Sequence, residues 1–374
     1  LLPLLICILI IPGCWDLEEI DQRAFVTALG IDLKPNGLVL LTVQLPSPKQ
    51  MLPLGSNSGG KNGEEGKSFH TISATAHNVF AAFGALQSKT NRHLVVQQNR
   101  LIVLGEDTAR HDVKPLLDWI FRSTKLSPQS LIFIARHRLA QEILSATPSV
   151  SKMPGLELMR ASELVTKYDY TLFISAWRFR KIMVNKTQDL YAPMIDFDSN
   201  EGQYVREGLT VFNADRFVGE LNREETQIFG FLTNQIKVGT MTFQTKAQDE
   251  SRIFSIRNML VVTKIKPVIK MGKPSFRVHC EVKGSLSEMT DLDQRLTLST
   301  IERFERKAGL DIKLRVASLI RKLQSLNSDS IGFGEKLRAH DYNLWKEMNW
   351  KEVFPTVPFQ VSVKVKIIRD GVFR

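Results

Sequence analysis

The chain has 374 residues, 43% of them hydrophobic, three cysteines and a formal net charge of +11. That length is too great for one ordinary core, so two or three domains are expected. The charge is uneven: Thr263 to Arg374 carries 22 Lys and Arg against 13 Asp and Glu.

Leu1 to Ile11 is an apolar run broken only by Pro3, and Leu1 to Gly13 carries no charge. The run is too short to span a bilayer, which takes roughly 20 apolar residues. It has the length of the apolar core of a secretory signal. The chain opens on Leu with no basic residue ahead of the run, so a few further N-terminal residues are expected. The run ends in Ile11-Pro12-Gly13-Cys14. A small residue directly before Cys is what a lipoprotein signal peptidase requires, although Pro12 is unusual at its place. The reading is a diacylglyceryl thioether on Cys14 and cleavage between Gly13 and Cys14. Two acyl chains, at about 0.8 kcal/mol per buried CH₂, suffice for stable anchoring. The alternative is an ordinary secreted protein whose signal ends in Gly-Cys.

Cys7 would leave with the signal and Cys14 would be alkylated, so Cys280 alone remains and no internal disulfide can form. Cys280 shares an alternate face with Phe276, Val278 and Val282, which predicts a buried thiol. Export points away from nucleic acid as a partner. The basic C-terminal third fits an anionic lipid surface or an acidic partner, and equally a merely solvated surface.

In chain order, Ala24 to Asp32 and Leu38 to Leu45 flank Asn36-Gly37, which predicts an N-terminal hairpin. Ser47 to Lys67 is rich in Pro, Gly, Ser and Asn and predicts a mobile loop. A helix with Val79, Ala82, Phe83 and Leu86 on one face follows, then a strand over 101–104, a helix over 113–121, a strand over 130–135 and a helix starting near Leu139. This alternation predicts an α/β layer domain. A second block begins at Gly208 with a hairpin around Asn213-Ala214-Asp215. Asn222 and Glu225 there have the spacing of a capping box.

The third block holds a hairpin turning at Met271-Gly272-Lys273-Pro274. A long helix over 300–326 follows, with Ser299 and Glu302 as its expected capping box. Its stripe is Ile301, Phe304, Ala308, Ile312, Val316, Leu319, Ile320 and Leu323. Strict alternation over 359–368 predicts a strand with one buried and one basic face. The expected architecture is α+β (mixed α/β), with three small domains, each a sheet packed with helices, in an elongated arrangement. Their expected bounds are 14–200 with the loop 47–67, 206–262, and 263–374.

Chemistry is sparse. The seven histidines form no His-x-x-x-His or His-Glu-x-x-His pair, and there is no Gly-x-Ser-x-Gly. Paired acids such as Asp196 with Asp198, or Glu224 with Glu225, lack a third group at fixed spacing. The aromatics Phe333, Trp345, Trp350 and Phe354 lie among glycine turns and could form a binding patch or pin a loop to the core; packing is the favoured reading. No enzyme, metal site or cofactor is expected.

Several blocks in order resemble the Ger(x)C family, the C-subunit lipoproteins of spore germinant receptors. They are Gly13-Cys14-Trp15-Asp16 with Glu19-Ile20, then Gly30-Ile31-Asp32, then Gly208-Leu209-Thr210-Val211-Phe212 leading to Val218-Gly219-Glu220-Leu221-Asn222. Lys264-Ile265-Lys266-Pro267 with Gly272-Lys273-Pro274 follows, and the last set is Ser328-Asp329, Gly332-Phe333-Gly334, Trp345, Trp350 and Phe354-Pro355. Family members often have Arg where this chain has Glu18. The resemblance implies three α/β-type domains, no activity and no cofactor. It implies two integral membrane subunits as partners, in the inner membrane of dormant spores, with the lipid on Cys14 on its outer face. Trp15, Lys364 and Lys366 are the candidate partner or membrane contacts. The other function to weigh is a lipid-anchored extracellular solute-binding protein.

Overall fold

The computed structural model describes residues 19–47, 68–123, 126–149, 172–206, 208–236, 238–247, 250–289 and 297–368. Gly13, Cys14, Trp15 and, apart from Ser47, the loop 47–67 lie outside them.

The first sheet has nine strands: β2 (Ala28–Leu33), β3 (Val39–Pro46), β4 (Phe69–Ala76), β6 (Leu101–Leu104), β7 (Leu131–Ala135), β8 (Tyr191–Asp198), β9 (Gln203–Val205), β10 (Leu209–Asn213) and β11 (Arg216–Leu221). Their order is β11-β10-β8-β7-β6-β2-β3-β4, with β9 paired to β8. The centre from β8 to β2 is parallel and both flanks are antiparallel. The central strands β6 and β7 are buried at every position, which is why they read as unbroken apolar runs. β1 (Arg23–Phe25) and β5 (His93–Val95) form a separate parallel pair. The expected hairpin is β2–β3, with Leu33 opposite Val39 and Gly37 at φ 78°. Helices α1 (Val79–Gln87), α2 (Glu106–Ala109), α3 (Val113–Arg122), α4 (Ala140–Ser145) and α5 (Ala176–Val184) are carried between these strands.

The second sheet has four strands in sequence order: β12 (Val238–Ala247), β13 (Glu250–Lys270), β14 (Lys273–Met289) and β15 (Phe359–Ile368). β13 and β14 make a long hairpin, turning where Met271 and Gly272 take positive φ (50° and 72°). β15 adds to β14 in parallel. Helix α6 (Arg223–Leu232) opens on the expected box: Asn222 accepts from Glu225 N, and Glu225 accepts from Asn222 N, both at 2.9 Å. Helix α7 (Leu298–Ser325) covers one face of the sheet with the stripe read from the sequence, and Phe304 stacks on Phe254 at 4.2 Å. Its cap is Thr297, whose hydroxyl accepts from Thr300 N at 3.2 Å, rather than Ser299 with Glu302. Thr297-Leu298-Ser299-Thr300 offers several hydroxyls, and the helix starts at the earliest of them. Three short helices follow: α8 (Phe333–His340), α9 (Tyr342–Glu347) and α10 (Trp350–Val353).

The middle block expected over 206–262 has no sheet of its own among the described residues. Its hairpin β10–β11 extends the first sheet, because Leu209, Thr210 and Val211 of β10 pair with Pro193, Ala192 and Tyr191 of β8. Four of the five β10 residues are buried, so the strand is covered on both faces. The rest of the block, from β12, starts the second sheet.

Candidate functional site

The motif residues are gathered at two buried carboxylates. Asp32 ends the Gly-Ile-Asp block on β2. Its two oxygens accept from Ala140 N (2.8 Å) and Gln141 N (3.0 Å), so it caps α4 from a strand more than 100 residues away. Gly30 lets α4 approach: a Cβ there would stand 3.0 Å from Leu144 and 3.2 Å from Ala140. Burial raises the Asp32 pKa against the pull of the two amides.

Asp329 lies in the turn after α7. It is fully buried and accepts from Gly332 N (2.9 Å), Phe333 N (2.8 Å), Gly334 N (2.7 Å) and Trp350 Nε1 (2.9 Å). The Ser-Asp-x-x-Gly-Phe-Gly block is thus a helix start built around an internal carboxylate. Gly332 takes φ 88°, and a Cβ on Gly334 would collide with Thr187 O and Trp350 Nε1, both at 2.7 Å.

This turn is tied to the first sheet. Asp329 N donates to Asp189 Oδ2 at 2.7 Å, just before β8. The other Asp189 oxygen accepts from Ala214 N (2.8 Å) and Lys351 Nζ (2.5 Å), and Lys351 also donates to Asn213 Oδ1 (2.7 Å). Ser328 Oγ reaches Phe212 O and Ser330 Oγ reaches Leu190 O. Glu335 accepts from Thr187 Oγ1 and Asn185 Nδ2 while pairing with Arg338. Arg338 foremost, with the two neutral donors, holds the Glu335 pKa down at about 2. Of the two neighbouring carboxylates at the junction, Asp189 pairs with the Lys351 ammonium, whereas Asp329 is held by N–H donors alone. Burial first, and then Asp189, push Asp329 up to about 7 in spite of its N–H donors.

The aromatics pack. Phe333 and Phe354 are buried, as is Trp350, and Phe333 meets Phe276 of β14 and Phe359 of β15 at 5.2 and 4.6 Å. The junction is therefore a hydrogen-bonded and packed seam between the two sheets.

A second polar group joins Glu106, His137 and Glu220, whose ligand-type atoms lie within 4.8 Å of one another. Glu106 accepts from Arg110 (2.6 Å) and His137 N (2.7 Å), and Glu220 faces Arg136 at 3.7 Å. Burial would raise Glu106, but His137 and Arg110 outweigh it and lower its pKa. The two guanidiniums already compensate the two carboxylates.

Lys364 and Lys366 are exposed on β15 as the alternation predicts, opposite Glu281 and Lys283 of β14. Lys366 also approaches Glu305 at 3.8 Å. Cys280 is buried, with its pKa raised by burial. No helix among the described residues is long and apolar enough to cross a membrane. The signals that sequence reading missed are Asp189 and Lys351, since nothing near either residue marks a partner 162 positions away.

Two family models cover the chain. The spore germination protein N-terminal domain matches residues 16–197, and the spore germination B3/GerAC-like C-terminal region matches 207–371. Among curated relatives, the putative spore germination protein YfkR of Bacillus subtilis is 28% identical over 99% of this chain and 96% of its own length. Spore germination protein B3 of the same organism is 26% identical over 96% and 94%. The crystal structure of the GerBC protein shares the fold, with a TM-score of 0.55 and 22% identity over 95% of this chain and 100% of that one. The chain belongs to the GerAC-like family of spore germination proteins.

Proposed function

We propose that this protein is a lipid-anchored, non-catalytic subunit of a nutrient receptor complex that starts spore germination, held by a diacyl thioether on Cys14 beside two integral membrane subunits. The observation that carries the reading is how the motif blocks are used. Asp32, Asp329, Gly334 and Trp350 are engaged in caps and in the seam between the sheets. A block set whose polar groups are consumed in fixing shape suits a protein that works by presenting surfaces to partners. The Gly13-Cys14 junction after a short apolar run supplies the anchor. Deleting the gene in a strain without paralogues should abolish the response to some nutrients and leave spore formation intact. Normal germination in every nutrient contradicts the proposal.

A polar groove lined by Arg136, Glu220, Glu225 and Lys322 is the feature that a solute-binding protein would use. Its charges are already paired, Lys322 with Glu225 at 2.7 Å and Arg136 with Glu220 at 3.7 Å. Calorimetry with amino acids and sugars separates the two readings, and tight binding by this chain alone favours the second.

A further inference from the structure

The β13–β14 hairpin carries a charge arrangement that the fold itself does not need. Between Glu250 and Glu281 the chain has seven Lys and Arg and no Asp or Glu. Five of these, Lys264, Lys266, Lys270, Lys273 and Arg277, are exposed on the sheet face turned away from α7. Register sets Lys270 directly opposite Lys273, and Lys266 directly opposite Arg277. Like charges in cross-strand pairs destabilise a sheet. No ion pair relieves these five cations among the described residues; Glu281, further along β14, faces His279 at 3.5 Å. At the tip, Met271 is 102% exposed between Lys270 and Lys273.

We infer that the tip and outer face of this hairpin seat on an anionic lipid bilayer, with the cations at the phosphate level and Met271 entering the headgroup region. The inference rests on the proposed membrane anchoring and specifies which surface faces the lipid. Three features favour lipid over an acidic protein segment. The cations spread along both strands without an acid to set a register, which suits a fluid array of phosphates. The tip residue is apolar and fully exposed, which an acidic loop would leave in water. A bilayer rewards a basic cluster close to an apolar tip, and its attraction falls within a Debye length. Lys364 and Lys366 continue the face but sit beside Glu281 and Glu305, so they contribute less.

The test uses the full chain with Cys14→Ala, so that no lipid is attached, in cosedimentation with vesicles of phosphatidylcholine alone or with 30% phosphatidylglycerol. The difference between the two vesicles is the readout, because the apolar N-terminal run meets both alike. Binding to the anionic vesicles should be the tighter and should weaken with salt. K266E/K270E turns both like-charge pairs into opposite-charge pairs. It should raise the unfolding midpoint while lowering partition onto the anionic vesicles by about 25-fold or more, at about fivefold for each of the two basic residues lost and further for the acids gained. Met271→Asp should lower it further without changing the fold. No preference for anionic vesicles, a preference unchanged in K266E/K270E, or tighter binding to a polyglutamate peptide than to vesicles overturns the inference. Absence of lipid on Cys14 in the native protein would contradict the anchoring reading and leave this vesicle assay unaffected.

Discussion

The indole N–H of Trp350 donates to Oδ2 of Asp329 at 2.9 Å, and both groups are buried. The ring therefore reports the charge of the carboxylate at the seam. Asp329 has its pKa raised from 3.8 to about 7, so between those values the native state holds a proton that the unfolded chain releases. Stability through this group is greatest below about pH 4, falls as pH rises, and levels off above about pH 7. Tryptophan fluorescence should titrate near pH 7, and Asp329→Asn should abolish both that titration and the slope. A fluorescence profile flat from pH 5 to 8 contradicts the assignment.

Lys351→Met should destabilise the protein by about 2–3 kcal/mol, because Asp189 is left buried beside Asp329 without its ammonium. Lys351 is 37% exposed, which keeps the loss at the low end for a broken ion pair. Asp189→Asn together with Lys351→Met should recover part of it. Urea unfolding of the two variants checks this, and a loss below about 0.5 kcal/mol in the single variant contradicts the pairing of Lys351 with buried Asp189.

Two glycines should respond oppositely. A Cβ on Gly309 of α7 meets Val363 O at 3.6 Å and Val365 at 3.7 Å, which is ordinary contact. Gly309→Ala should therefore gain about 1 kcal/mol of helix preference. Gly334→Ala drives its Cβ into Thr187 O and Trp350 and should cost about 2–3 kcal/mol or more. Thermal unfolding of the pair is the measurement.

Asp32→Ala removes the acceptor for the buried amide of Ala140 and that of Gln141, and should cost about 2 kcal/mol. Glu224→Ala breaks only an exposed pair with Arg315, and should change stability by less than about 1 kcal/mol. Equal losses in the two variants would contradict the role given to Asp32.

Local periodicity made much of this fold legible. The alternation over 359–368 predicts β15 to the residue, and the apolar stripe of α7 is the buried set. The Asn222 box was readable because its two partners are three residues apart. What escaped depends on distance. That β10 joins β8 is a pairing choice that the hairpin sequence does not encode by itself. The blocks around Asp32 and Asp329 were visible as motifs, yet their purpose was not, because Asp32 caps a helix 108 residues on and the Asp329 amide reaches a carboxylate 140 residues back.

The central claim is that the chain acts beside membrane subunits, held there by lipid. It is tested most directly by purifying the protein from spore membranes after mild cross-linking, with mass spectrometry of its N-terminal peptide and of co-purifying chains. The account predicts a peptide beginning at Cys14 with a diacylglyceryl thioether, recovered together with two integral membrane proteins. An unmodified Cys14 in a chain recovered without membrane partners would contradict it.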